Sequence, residues 1–177
     1  MIVCDFFNKK NIEYFIRGGV AVILQGRFRT TEDIDIIVDP DMFPIDDFVD
    51  FCKNNQLFVN PYDLEEAKKD GGQITIMNFA HSIRIDLKYV FTRWDREAIK
   101  NVDKIKYNET ILNVCRPEYL IMNKIYKGSR IDIEDAYSVF FQNRYRLDFS
   151  IMEEFAEIFE IQKEFEEFLK KSEEVDD

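Results

Sequence analysis

The segment Asp33-Ile34-Asp35-Ile36-Ile37-Val38 alternates carboxylates with branched aliphatics before it turns wholly apolar, and that pattern constrains the fold more than any other. Its period is two, so it predicts a β-strand. Successive side chains of a strand point to opposite faces, which sends Asp33 and Asp35 one way and Ile34 and Ile36 the other, into a core. The two aspartates then stand roughly 7 Å apart at their α-carbons, close enough for both carboxylates to serve one cation. A second stretch, Ile83 to Tyr89, repeats the design: Ile83, Ile85, Leu87 and Tyr89 share one face, and Arg84, Asp86 and Lys88 share the other. If the two strands are neighbours, Asp86 joins Asp33 and Asp35. Three such carboxylates repel and raise one another's pKa unless positive charge sits among them.

The rest of the N-terminal part reads as a mixed sheet with helices. Ile12 to Arg17 predicts a short strand running into Gly18-Gly19, and the stretch from Gly18 to Gln25 a short apolar helix stopped by Gly26. Residues 27–32 form a polar loop. Ile45, Phe48, Val49 and Cys52 have helical spacing, whereas residues 60–72 read mostly as loop. Residues 73–79 and 82–90 alternate as adjacent strands joined tightly at 80–82, where His81 is an exposed turn residue. Residues 102–115 hold another short pair of strands. From Arg116 the period becomes helical, and 150–174 reads as a helix running for most of its length. The expected class is α+β: a small mixed β-sheet with helices over 1–115, then a helical C-terminal part, 116–177, packed on the core.

Composition excludes several classes. Of 177 residues, 46% are hydrophobic and 17 are Phe, which suits a globular chain. No apolar run approaches the ~20 residues that span a bilayer, so no membrane partner is expected. The first ten residues lack a signal-peptide layout, and three scattered cysteines, Cys4, Cys52 and Cys115, read as reduced thiols, so a cytoplasmic location is expected. The net charge of −11 is uneven: Glu153–Asp177 holds 11 acids and 3 bases, while Arg84–Arg130 holds 11 bases and 6 acids. The overall field does not attract nucleic acid, but a local basic face could. The stripe of Ile151, Phe155, Ile158, Phe165 and Leu169, with Phe159 and Phe168 beside it, needs an apolar cover. The preferred cover is this chain's own helices between Arg116 and Asn143, and a homodimer or partner chain is the lesser option.

The candidate site joins these carboxylates to the glycine pair. Gly18 and Gly19 lie between a strand and a helix, where missing side chains let a phosphate approach backbone N–H groups at the helix start. No GK[ST] follows, so this is not a Walker loop. The order is strand, Gly18-Gly19, short helix, Arg29-x-Thr31-x-Asp33-Ile34-Asp35, then a strand with Asp86. It resembles the nucleotidyltransferases of the DNA polymerase beta superfamily over roughly residues 12–90. It is similar above all to the minimal nucleotidyltransferases of toxin–antitoxin and abortive-infection systems, and to some antibiotic-modifying relatives. The resemblance implies an enzyme that moves an NMP from a nucleoside triphosphate to a hydroxyl and releases pyrophosphate. In it Asp33 and Asp35 bind Mg²⁺, as one ion or a pair, and Asp86 completes the metal site and helps activate the acceptor hydroxyl. Gly18 and Gly19 hold the triphosphate; Arg29 and Thr31, on the adjoining loop, are further candidates for nucleotide binding, with Arg29 equally a residue that positions the loop and Thr31 one that hydrogen-bonds within it. By the same resemblance Lys124 reaches the triphosphate, and Arg130, Asp132 and Asp135 shape the acceptor side, although Ile131-Asp132 stands where relatives have Lys-Asp.

The acceptor implied first is a macromolecule, RNA or a partner protein. A small hydroxylated molecule such as an antibiotic is the alternative, and a non-catalytic module that binds a nucleotide or partner is a third reading. Which triphosphate is used does not follow from the sequence. Trp94 reads as core or rim.

Overall fold

The computed structural model describes residues 2–41, 43–79 and 83–176; His81 and the 80–82 connection lie outside them. The chain divides into two compact units, residues 1–20 with 30–115, and residues 21–29 with 116–177.

The first unit is built on a six-stranded sheet among the described residues, in the order β3-β4-β2-β1-β6-β5. The strands are β1 (Tyr14–Arg17), β2 (Asp33–Val38), β3 (Gln73–Asn78), β4 (Ile83–Tyr89), β5 (Val102–Tyr107) and β6 (Thr110–Cys115). Pairing is mixed: β2 runs parallel to β4, β1 runs parallel to β6, and the other neighbours are antiparallel. Central β1 is apolar on both faces, with Tyr14, Phe15 and Ile16 buried. This is the α+β class expected from the sequence.

The abundance of Phe has a use here. Helices α1 (Ile2–Lys10) and α3 (Ile45–Asn54) bring Phe6, Phe7 and Phe48 together, and Phe43 and Phe51 join the same aromatic cluster. Trp94, on α5 (Arg93–Lys100), is a core residue whose ring lies 5.7 Å from that of Phe15. All three cysteines are buried free thiols, and burial pushes the Cys4 thiol up to about 11.

The structure corrects two local expectations. Residues 60–72, read mostly as loop, contain a ten-residue helix, α4 (Pro61–Asp70). Asn60 caps it by accepting from the Tyr62 N–H, Pro61 takes the first turn where no N–H is needed, and Gly71 closes it at φ 72°. Its polar middle hides it, although both ends carry recognisable signals. The C-terminal helix is also two helices, α8 (Phe149–Ile158) and α9 (Gln162–Asp176). Glu160 adopts φ 55°, the Glu160 N–H donates to Glu157 O, and the Ile161 N–H donates to Ala156 O. That is a Schellman ending with glutamate where glycine usually sits, so no glycine marks it.

The second unit contains most of α2 (Gly18–Gln25), the following loop to Arg29, α6 (Pro117–Lys127), α7 (Arg130–Asn143), α8 and α9. The aromatic stripe packs inside this unit, as preferred from the sequence. Phe155 meets Tyr119 edge-on at 5.5 Å, and Phe168 stacks on Tyr137 at 4.4 Å and meets Phe140 at 5.5 Å. Among the described residues no helix is long and apolar enough to cross a membrane.

Truncation after Arg146 removes Phe155, Phe165 and Phe168, all buried. Each contributes roughly 1.5–3 kcal/mol, so the melting temperature should fall by on the order of 10 °C or more. A truncated chain that melts with the full-length one in calorimetry would contradict this packing.

Candidate functional site

The parallel register of β2 and β4 places Asp35 opposite Asp86 and Asp33 opposite Arg84. Paired residues share a face, so the three predicted carboxylates stand together on one face of the sheet. The row extends further: Arg17 of β1 pairs with Asp35, and Thr75 of β3 pairs with Asp86. Arg17, Asp35, Asp86 and Thr75 thus form a polar line across four strands, with Ile36 and Leu87 buried on the opposite side.

Charge in this row is balanced from within. The Arg84 Nη2 donates to Asp33 Oδ2, and lies 3.2 Å from Asp86 Oδ2. Its hydrogen bond to Asp33 and the charge of Asp86 hold the guanidinium above the usual arginine pKa. Arg84 is therefore shared between Asp86 and Asp33. Thr75 Oγ1 donates to Asp86 Oδ1 at 3.2 Å, and Thr31 Oγ1 donates to the Asp33 carboxylate at 3.3 Å and carbonyl at 3.2 Å. Thr31 is thus a local support for Asp33. Arg84, Arg17 and Thr75 are site residues that sequence reasoning does not single out, although alternation already places Arg84 on the carboxylate face.

Gly18 opens α2 at φ 64°, and a Cβ built on it would stand 1.9 Å from Asp35 Oδ2. The glycine leaves room for a site carboxylate, which is a separate reason for it from phosphate approach. With Gly19 it begins a helix whose first N–H groups have no partner within the helix.

Oxygen donors of this kind suit a hard cation such as Mg²⁺. Asp35 and Asp86, on adjacent paired strands, are placed to contribute, and Asp33 shares their face. Among the described residues, however, no three His, Cys, Asp or Glu side chains are grouped so that they could hold a metal ion as they stand. Arg84 engages Asp33 and Asp86 instead. The donor chemistry fits, and the guanidinium holds two of the three carboxylates.

The second unit carries its own charge cluster. Asp135 is fully buried, and its Oδ2 accepts from Lys124 Nζ at 2.9 Å and Arg29 Nη1 at 3.1 Å. Its Oδ1 accepts from Arg27 Nε at 3.2 Å and Nη2 at 3.1 Å. Lys124 also donates to Asp132 at 2.8 Å, while Arg27 reaches Glu134, which pairs in turn with Arg130. Burial works against the Asp132 charge, yet hydrogen bonds from Lys124 and Ser129 hold its carboxyl below the usual range. The two cations expected to meet phosphate, Arg29 and Lys124, thus converge on a carboxylate, and Lys124 is 6% exposed at its side chain. Asp135, expected to shape the acceptor side, is 0% exposed and meets these cations rather than solvent.

No family model matches the chain, and no curated protein matches it. Solved structures do share its fold. A lincosamide antibiotic adenylyltransferase, LnuA, bound to lincomycin, aligns at TM-score 0.50 and 15% identity over 78% of this chain and 94% of its own. ANT(2″)-Ia in complex with adenylyl-2″-tobramycin aligns at 0.54 and 14% over 90% and 92%. An antigenic nucleotidyltransferase-like protein from Paracoccidioides brasiliensis aligns at 0.51 and 15% over 96% and 89%. The chain therefore has the nucleotidyltransferase fold.

Gly18→Ala forces a Cβ into the Asp35 carboxylate at a positive φ, so it should cost more than about 1 kcal/mol. A melting temperature equal to wild type would refute that contact. Asp135→Asn leaves three cations around a neutral side chain and should cost about 3–5 kcal/mol in urea unfolding. A loss below about 1 kcal/mol would show that the cluster is not held by this carboxylate.

Proposed function

We propose that this chain is a Mg²⁺-dependent nucleotidyltransferase. The observation that supports it most is the register Asp35 opposite Asp86, beside Asp33 and the glycine-started helix α2, in a nucleotidyltransferase fold. An acceptor hydroxyl oxygen attacks the α-phosphorus of a nucleoside triphosphate. The bond from that phosphorus to the bridging oxygen breaks, pyrophosphate leaves with the bonding pair, and the NMP stays on the acceptor. Asp33 and Asp35 would hold the metal, with Asp86 completing the set. Bound there, the metal supplies charge neutralisation on the phosphate oxygens. Asp86 takes the hydroxyl proton, with Thr75 fixing one of its oxygens. The first N–H groups of α2, at Gly18-Gly19, receive phosphate oxygens. Lys124 and Arg29 are assigned a supporting role, since Asp135 already takes both.

For the acceptor, the first reading is a macromolecule, RNA or a partner protein, as in toxin–antitoxin or defence systems. The second, a small hydroxylated molecule, gains from one observation. Of the eleven bases between Arg84 and Arg130, at least five among the described residues (Arg84, Lys100, Arg116, Lys124 and Arg130) already pair with carboxylates. The basic segment is thus a weaker attraction for a polyanion than its count suggests.

Incubation with each α-labelled triphosphate, Mg²⁺ and, in separate arms, RNA, lysate protein, lincomycin or tobramycin should label one acceptor class and release pyrophosphate. No label and no pyrophosphate in any arm would sink the enzymatic reading. Asp86→Asn should lower turnover by about 10²–10⁴ while nucleotide affinity stays within a few-fold. Asp35→Asn should instead weaken Mg²⁺-dependent nucleotide binding in calorimetry. A parallel collapse of affinity in Asp86→Asn would make Asp86 chiefly a metal ligand.

A further inference from the structure

We infer that Arg84 is an internal counterion that holds the carboxylate site without metal, and that it links entry of the metal to entry of the triphosphate. The inference rests on the proposed metal-dependent reading and adds a regulatory part to it.

One guanidinium nitrogen, Nη2, serves both Asp33 Oδ2 and Asp86 Oδ2, carboxylates from two neighbouring strands. Arg84 sits between them because β2 and β4 pair in parallel with Asp33 opposite Arg84, and Asp86 follows two residues later on the same face. A divalent ion drawing on those two oxygens competes directly for them. Arg84 is able to yield: its side chain is 43% exposed, and Asp33 is 27% exposed, whereas Asp86 is 5% exposed. The long side chain can swing towards solvent while the carboxylates keep their strand positions.

Release of the guanidinium has a thermodynamic consequence. A metal entering alone must break two ion pairs and leave the arginine to water. A metal entering with a triphosphate leaves it a partner at hand, because a guanidinium fork matches phosphate oxygens. Metal and triphosphate therefore favour each other's binding, and the coupling is reciprocal. Lysine would serve less well, since an ammonium is a point charge and does not present a planar fork.

The test is direct binding of Mn²⁺, followed by electron paramagnetic resonance without nucleotide, so no turnover is needed. Arg84→Met should bind Mn²⁺ about ten-fold more tightly than wild type, because the competing charge is gone. Arg84→Lys should fall between them. Addition of each nucleoside triphosphate, with the metal–triphosphate complex in solution allowed for, should tighten Mn²⁺ binding in wild type more than in Arg84→Met. If Met at this position compromises folding, Arg84→Lys carries the test alone through its intermediate affinity and reduced coupling. Equal Mn²⁺ affinity in wild type and the Arg84 variants, with binding lost in Asp35→Asn, would overturn the inference and leave the metal site standing. Mn²⁺ binding that survives in Asp35→Asn, or is absent from wild type and Arg84→Met alike, would overturn the metal reading and this inference with it.

Discussion

Parallel pairing of β2 with β4 is the constraint on which the candidate site depends. The register that sets Asp35 opposite Asp86 also sets Ile36 opposite Leu87, and those two are 1% and 0% exposed. A slip of one residue would set Asp35 opposite Ile85 or Leu87 instead. One strand would then turn its aliphatics to the polar face and its carboxylates towards the core. Core packing therefore fixes the site. Gly18 adds a second restraint, since only a residue without a side chain fits against the Asp35 carboxylate there.

Two of the carboxylate clusters among the described residues, around Asp135 and around Arg84, are held by the chain's own cations and differ in burial. Around Asp135 the acceptor is 0% exposed and Lys124 is 6% exposed, so neither exchanges partners readily. Removing one member would strand charge in a low-dielectric interior, which suits a permanent support of the helical unit. Around Arg84 the cation is 43% exposed and Asp33 is 27% exposed. Charges in that position exchange partners at modest cost. The half-exposed system is where ligand chemistry can enter, and the buried one holds the scaffold.

The strands and their carboxylate face are legible because period-two alternation is local: Asp33, Asp35 and Asp86 need only their own neighbours to be placed. The split between α8 and α9 is not legible, because Glu160 supplies a left-handed residue usually marked by glycine. Helix α4 escapes recognition behind its polar middle, although Asn60, Pro61 and Gly71 signal both ends. The cluster on Asp135 draws Arg27 and Arg29 from about a hundred residues away in the chain, which no local pattern encodes. Likewise alternation places Arg84 on the face of Asp86, but its bond to Asp33 requires the register of two strands.

Net charge bears on how ligands arrive. At −11 the protein repels a free triphosphate at long range, although salt confines that field to about 8 Å at physiological ionic strength. A triphosphate already carrying a divalent cation has less charge to bring in, so on the proposed reading it meets a smaller barrier than the free anion. On the same reading that complex would deliver a cation for the carboxylates and phosphate oxygens for the displaced Arg84 in one event. On that reading, an acidic chain with an arginine resting among its candidate site carboxylates would take metal and nucleotide together and resist either arriving alone.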